Sequence, residues 1–313
     1  MMSSGKYVTM IIPQPQRLVQ NNGVYEMNYQ IITDSCCDLT QEQLTKLQVS
    51  CANLTLMYNG ENHSNFSDPT AVKAFYDELR TGITATTAAV NPDGWAELMK
   101  RSLEAGQDVL VMAFSSGLST TYQSAVIAAK ELQEIYPDRK IYVVDTLCAA
   151  LGQGLLVYYA SQKRAAGMPI EELAAWLEAH KRNLCHWVTV DDLSHLKRGG
   201  RISATTALVG TMLNIKPIIH VDNEGHLINS AKTRGRKSAI EYLVRKMGET
   251  GEGYDNETVF IAHGDCPEDA QALAEMVKEQ YGVKNVVIGY VGPVIGAHTG
   301  PGVLVVFYMG QHR

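Results

Sequence analysis

The chain has 313 residues, 45% hydrophobic and 19% charged, with 27 Lys and Arg against 33 Asp and Glu for a net charge of −6. That length suits about two domains of ~100–200 residues, and the charge content is too low for a disordered polyelectrolyte. The acidic balance excludes a broad nucleic-acid footprint, and the longest apolar runs, Val109–Phe114 and Val303–Met309, fall far short of the ~20 residues that span a bilayer.

Residues 1–26 carry little periodicity and are expected outside the compact fold, as a disordered extension or the product of a start codon placed too far upstream. Met10–Pro13 is too short an apolar core for a signal peptide. The six cysteines are scattered without a C-x-x-C pair, the pattern of reduced thiols in a cytoplasmic protein.

From Tyr29 onward, short apolar runs alternate with helical patterns. Tyr29–Thr33 reads as a strand ending in Asp34-Ser35, and Leu39–Leu47 as the helix after it. Pro69–Arg80 is a helix capped by Asp68, with Pro69 at its first position and Val72, Phe75, Tyr76 and Leu79 on one face. Ile83–Pro92 reads as a loop rich in hydroxyls. Val109–Phe114 has the continuous apolar character of a buried parallel strand, followed by a helix over Leu118–Ile135. Ile141–Val144 ends in Asp145, and Ala149–Ala166 is again helical. This alternation predicts βαβ units and a parallel sheet.

The pattern changes near residues 165–185. Pro169–Leu184 reads as a helix, His186–Val190 as a strand, and Leu208–Gly210 borders another helix. Ile215–Val221 and His226–Ala231 form a hairpin around Asp222-Asn223-Glu224-Gly225. Strands at Thr258–His263, Val286–Tyr290 and Val303–Met309, with helices at Arg236–Met247 and Pro267–Gln280, complete a mixed sheet. The predicted organisation is α/β, with one domain over residues 27–175 and a second over 176–313.

Three segments could carry chemistry. Phe114–Ser119 turns a parallel strand into a helix, where open sheets bind ligands and helical N–H groups favour an anion. Ser116 and Gly117 are the candidates there; plain helix capping by Ser115 or Ser116 is the alternative. Thr84–Pro92, with Thr87, sets hydroxyls beside small apolar residues and suits a carboxylate with an apolar tail, or else is a solvated loop before a helix capped by Asn91 or Asp93. Gly289–Gly302 brackets His298-Thr299 with glycines that imply positive-φ turns or close backbone approach. His298 could donate to an anion or be a structural histidine at a turn. Basic clusters at Lys197–Arg201 and Lys232–Lys237 could meet phosphate or an acidic partner, or form solvated faces. A Walker lysine, a complete dinucleotide loop and a G-x-S-x-G elbow are all missing, and His263-Gly264-Asp265-Cys266 has no partner spacing for a metal.

With these segments in view, the chain resembles the DegV family of bacterial fatty-acid-binding proteins, the lipid-carrying subunits of fatty acid kinase. The matching segments are Ile31–Ser35, Ser115–Ser124, Val190–Ser203, Lys216–Gly225 and Gly289–Gly302, in family order. The resemblance implies a Rossmann-like α/β/α domain beside a second α/β domain with a mixed sheet. It also implies one long-chain fatty acid with a buried tail, held by a non-catalytic subunit without a cofactor. The carboxylate would be presented to a separate ATP-dependent kinase for acyl-phosphate formation, with at most transient membrane contact. Carried over by position, Thr87, Ser116, Gly117 and His298 would bind the ligand, and Arg201 and Arg234 would face the kinase or phosphate. The family's Ser-Gln-Pro after the loop threonine is Ala88-Ala89-Val90 here, one polar neighbour fewer. The alternative is a standalone serine hydrolase using Ser116 and His298.

Overall fold

The computed structural model describes residues 28–63, 68–191, 193–203, 214–311 and 313. The expected extension over residues 1–26 and the expected helix bordering Leu208–Gly210 lie outside them.

The first half opens with β1 (Tyr29–Asp34), a 3-10 turn at Ser35–Cys37, and α1 (Gln41–Leu47), which starts on a reciprocal Thr40–Gln43 capping box. Three short strands follow, β2 (Val49–Ala52), β3 (Thr55–Tyr58) and β4 (Glu61–His63). Helix α2 (Pro69–Arg80) has the predicted bounds, with the Asp68 carboxylate accepting from Thr70 N–H. The hydroxyl-rich segment is not all loop: it contains β5 (Thr86–Ala88) before α3 (Pro92–Glu104), which Asn91 caps. β6 (Asp108–Ala113), α4 (Thr121–Ile135) and β7 (Ile141–Asp145) complete a sheet of order β2-β1-β6-β7, parallel throughout. β3, β4 and β5 form a separate antiparallel sheet.

The parallel sheet is buried on both faces. Ile31, Leu110 and Met112 point one way; Ile32, Val109, Val111 and Ala113 point the other, toward Trp95 and Met99 of α3 and Ala125 and Ala128 of α4. Two apolar faces account for the unbroken run in β6, because a strand covered by helices on both sides needs no polar alternation.

The second half follows α5 (Ala150–Ala165) and α6 (Ile170–His180). β8 (Leu184–Thr189), α7 (Ser194–Arg198), β9 (Ile215–Val221), β10 (Leu227–Arg234), α8 (Arg236–Thr250), β11 (Thr258–His263), α9 (Pro267–Tyr281), β12 (Asn285–Tyr290), α10 (Pro293–Thr299) and β13 (Leu304–Met309) then complete the chain. The sheet order is β10-β9-β8-β13-β11-β12, with only the β11–β12 pair parallel. Helices α8 and α9 cover the face carrying Ile218, Ile261 and Val306. The hairpin joining β9 to β10 turns at Asp222–Gly225, as its sequence predicts.

Helix α5 lies between the two large sheets and is buried nearly all round from Ala150 to Tyr158. Its side chains share one apolar cluster with Ile31 and Met112 of the parallel sheet and with Phe260 and Phe307 of the mixed sheet. A cut between residues 175 and 176 falls inside α6, and the two halves share a core. Helix α10 also crosses back, packing on α2, β3 and β5. Among the described residues no helix is long and apolar enough to cross a membrane. All six cysteines are free thiols.

A shared core makes unfolding of the two halves one event. Leu155 of α5 is 0% exposed, so Leu155→Ala is expected to cost about 2–5 kcal/mol. Denaturant midpoints read at Trp95 and at Trp187 in single-tryptophan variants should fall together; midpoints that separate would show independent cores.

Candidate functional site

The site begins at the carboxyl ends of the parallel strands. Asp34, fully buried at the end of β1, accepts from Cys36 N (3.0 Å), Phe114 N (2.7 Å) and Gln153 Nε2 (3.2 Å). Burial pushes its carboxyl up to about 6 against those donors. Asp145, at the end of β7, accepts from Ser116 N and Leu147 N, each at 3.1 Å. Two strand-end carboxylates therefore hold the turn after β6.

This turn does not offer the free N–H groups that a helix start at Leu118 would supply. Helix α4 begins only at Thr121; Ser116 N is taken by Asp145, and Gly117 N by Ser115 Oγ at 3.2 Å. Gly117 serves packing. A Cβ there would stand 2.8 Å from the backbone of Glu224 and Gly225, so the close approach is made by the tip of the β9–β10 hairpin. Ser115 Oγ completes the latch by donating to Gly225 O at 2.9 Å.

Behind the latch is a cavity of about 440 Å3, within the ~300–1,000 Å3 usual for small-molecule sites. Most of its wall is apolar, from Leu54, Phe114 and Leu118 on one side to Val188, Ile219 and Val305 on the other. Its polar lining comes from Thr87, Ser116, Ser119, Thr120, His186, Arg201, His298 and Thr299.

Three of the predicted ligand residues line this cavity, and two of them touch. Thr87 sits on β5 opposite Leu56 of β3, and its Oγ1 lies 2.8 Å from His298 Nε2 on α10. Ser116 lines the same cavity; Gly117 does not. Burial, with the Arg201 guanidinium second, lowers the His298 imidazole to about 4. It is therefore neutral at pH 7. Its Nδ1 is buried against Gly199 with no hydrogen-bond partner among the described residues. A buried N–H without an acceptor is the costlier orphan, which assigns the proton to Nε2. Nε2–H then donates to Thr87 Oγ1, leaving the threonine O–H free to donate into the cavity.

The two arginines separate. Arg201 forms part of the cavity wall, its Nε donating to Leu118 O at 3.2 Å and its Nη1 to Gly199 O. Half-buried, it lines the same cavity as Thr87 and His298. Arg234 ends β10, is exposed and lies outside the cavity wall. His186, Ser119 and Thr120 in the wall are not singled out by sequence. Ser119 and Thr120 follow Ser116 closely, whereas a lone histidine within the apolar strand β8 carries no signal.

A wider groove of about 1150 Å3 lies between α1 and α9 and shares Leu54 and Val294 with the cavity. Its wall includes Asp38, Glu268 and Glu275 and no lysine or arginine, a field that disfavours an anion. His263 faces it, but His263 Nδ1 accepts from Cys266 N at 3.3 Å and Asp265 is ion-paired with Arg80 at 2.5 Å. Among the described residues no cluster of three His, Cys, Asp or Glu is placed to hold a metal ion.

The fold and site define an α/β protein in which two sheets enclose a largely apolar cavity with a few polar groups in its wall. The family model described as an uncharacterised protein family, DegV, matches residues 28–311, and the chain belongs to the DegV family. It is 46% identical over 284 residues to a DegV domain-containing protein of Clostridium perfringens, covering 90% of this chain and 98% of that one. Among solved structures, a fatty-acid-binding DegV family protein from Thermus thermophilus is similar at 30% identity and TM-score 0.81, covering 91% of this chain and 100% of that one. DegV of Bacillus subtilis, a fatty acid binding protein, is similar at 28% identity and TM-score 0.76, with the same two coverages.

The histidines give the site a pH signature. His186, His263 and His298 are lowered by burial from 6.5 to about 3, 4 and 4. Folding favours their neutral forms, so their contribution to stability is complete above about 6.5 and is lost as pH falls through the window toward 4. In the lipid-free protein, the His298 ring resonance should titrate near 4; a midpoint near 6.5 would contradict its burial. His298→Gln should make the acid-side loss of stability shallower.

Proposed function

We propose that the protein binds one long-chain fatty acid, with its tail in the 440 Å3 cavity and its carboxylate at the Thr87–His298 end. In this reading it presents that carboxylate to a separate ATP-dependent kinase, which forms the acyl phosphate. The observation that carries the reading is a largely apolar cavity with the bonded Thr87–His298 pair and the Arg201 guanidinium in its wall. Methylenes buried at ~0.8 kcal/mol each offset an association cost of ~4–15 kcal/mol. The head group needs few partners. The Thr87 O–H, oriented by His298, and the Ser116 hydroxyl donate to it, and Arg201 supplies the charge that an anion in a low-dielectric site requires. The related DegV proteins described as fatty-acid binding support the lipid-binding part of this reading. Free thiols throughout fit a reducing, cytoplasmic setting.

The serine-hydrolase reading has less support. A catalytic histidine is hydrogen-bonded to its nucleophile and oriented by a third group. Here Nε2 faces Thr87 and Nδ1 has no partner among the described residues. The carboxylate nearest Ser116 holds its backbone N–H.

Native mass spectrometry of the protein purified from a bacterial host tests the reading, with one intact fatty acid per chain as the expected mass increment. A chain that stays empty after incubation with free palmitate would overturn it. A hydrogen bond to a charged group is worth about 1.5–3 kcal/mol, so Thr87→Val, Ser116→Ala and His298→Ala should each weaken retention roughly tenfold or more. Arg201→Ala should join them, since its guanidinium belongs to the wall.

Arg234→Ala should behave differently. It is expected to keep the bound fatty acid and to lower acyl-phosphate formation with the cognate kinase. Lost lipid in that variant would place Arg234 in the pocket.

A further inference from the structure

The cavity has a definite floor at the end opposite Thr87 and His298. Along β13, Val303, Val305 and Phe307 line it at alternate positions, the period-two spacing of one strand face. Val305 pairs with Val188 of β8, which pairs in turn with Ile219 of β9; Phe307 pairs with His186. All of these side chains line the cavity. The two rows are successive rungs, and the run from Val303 to Phe307 measures about 13 Å at ~3.3 Å per residue. Val303 directly follows the turn that closes α10, beside His298. Gly199 abuts His298 and follows α7, at the carboxyl end of β8. His186 lies toward the opposite end of that strand.

An imidazole is an unusual floor for an apolar cavity, and this one is fully committed. His186 is 2% exposed. Its Nε2 accepts from Ala149 N at 3.2 Å, and its Nδ1 is 3.1 Å from Leu184 O, so Nδ1 carries the proton. Burial, then the positive charge of Arg313, lowers it to about 3. The ring meets Phe307 edge-on at 5.2 Å, and Gly152 of α5 approaches so closely that a Cβ there would lie 2.3 Å from Nε2. Two hydrogen bonds, an aromatic edge and a helix backbone fix the ring in one position. Behind it, the Arg313 guanidinium is bonded to Leu147 O, Asp222 O and Lys181 O and to Cys148 Sγ. A tail that went past His186 would meet that charge.

We propose that His186 is the residue that sets the maximum acyl chain length, acting as a rigid stop that also separates the apolar tail from the Arg313 charge. This rests on the fatty-acid-binding reading above and adds to it a determinant of which chains fit. A flexible apolar side chain at the same place would yield to a longer tail by changing rotamer. An imidazole hydrogen-bonded at both nitrogens gives way only by breaking a buried bond.

The test is competition. The full-length protein is delipidated, offered an equimolar mixture of straight-chain saturated acids from C12 to C20, and the bound species are read by native mass spectrometry. His186→Ala is expected to move the dominant species to chains longer by about two carbons, the space of the lost ring. Where that variant fails to fold, His186→Asn carries the same test: its amide N–H keeps a donor for Leu184 O, the bond Nδ1 makes, while the far side of the ring with Nε2 is removed. Val305→Phe, one rung nearer the head group, should move the selection to shorter chains. A folded His186 variant with the wild-type chain-length distribution would overturn the proposal. If the wild type binds none of the acids, the fault lies instead with the fatty-acid reading.

Discussion

The buried carboxylate of Asp34 is the constraint on which the rest of the structure depends. A charge taken so far from water is tolerated only with donors around it, and the donors come from three directions. One is the 3-10 turn that follows it, one is the backbone at the end of β6, and one is Gln153 from the helix between the sheets. Gln153 also reaches Thr33 Oγ1 at 3.0 Å, and Thr33 in turn donates to Met112 O. Satisfying one carboxylate thus fixes the ends of two strands, the seating of α5 and the turn carrying Ser115 and Ser116. The cavity mouth inherits its geometry from that network.

Much of this was legible in the sequence, for identifiable reasons. β6 is readable because both its faces are covered, and α2 because Asp68, Pro69 and an apolar stripe agree. Helix α10 was not readable. Gly296 argues against a helix over Pro293–Thr299, since glycine costs roughly 1 kcal/mol at an interior position, and the flanking Gly292 and Gly300 make the segment read as a turn. The three are there because Asp38 approaches Gly292 and the Tyr76 ring approaches Gly296 closely, and Gly300 adopts a positive φ of 76°. The strands β3, β4 and β5 were hidden because each is only three or four residues long, and β5 reaches β3 from beyond α2. At the site, Thr87, Ser116 and His298 could be named, but not the bond between Thr87 and His298 that joins segments 211 residues apart. The place of Arg201 in the cavity wall was not legible because a basic run looks the same whether it faces solvent or a cavity. Gly117 was misread because a missing side chain does not say what comes close.

Polarity in the cavity is arranged so that neutral groups do the pointing and a single cation supplies the field. His298 is held neutral by burial, and its ring can direct a hydroxyl without adding a second charge to desolvate. Among the described residues Arg201 is bonded to backbone carbonyls and to no carboxylate. In the proposed function its guanidinium then has the ligand's carboxylate as its counter-charge.

The hairpin latch has a further consequence. Ser115 and Gly117 belong to one sheet system and Gly225 to the other, and the space they close is bounded by side chains from both. Whatever fills that space completes a packed interior spanning the molecule, where an empty one forfeits dispersion contacts along its whole lining. Cargo and core are then the same material. By mass action, an occupant that binds only the folded chain raises its stability with the logarithm of its free concentration. If the proposed ligand is that occupant, the chain's resistance to proteolysis would rise and fall with the ligand's supply.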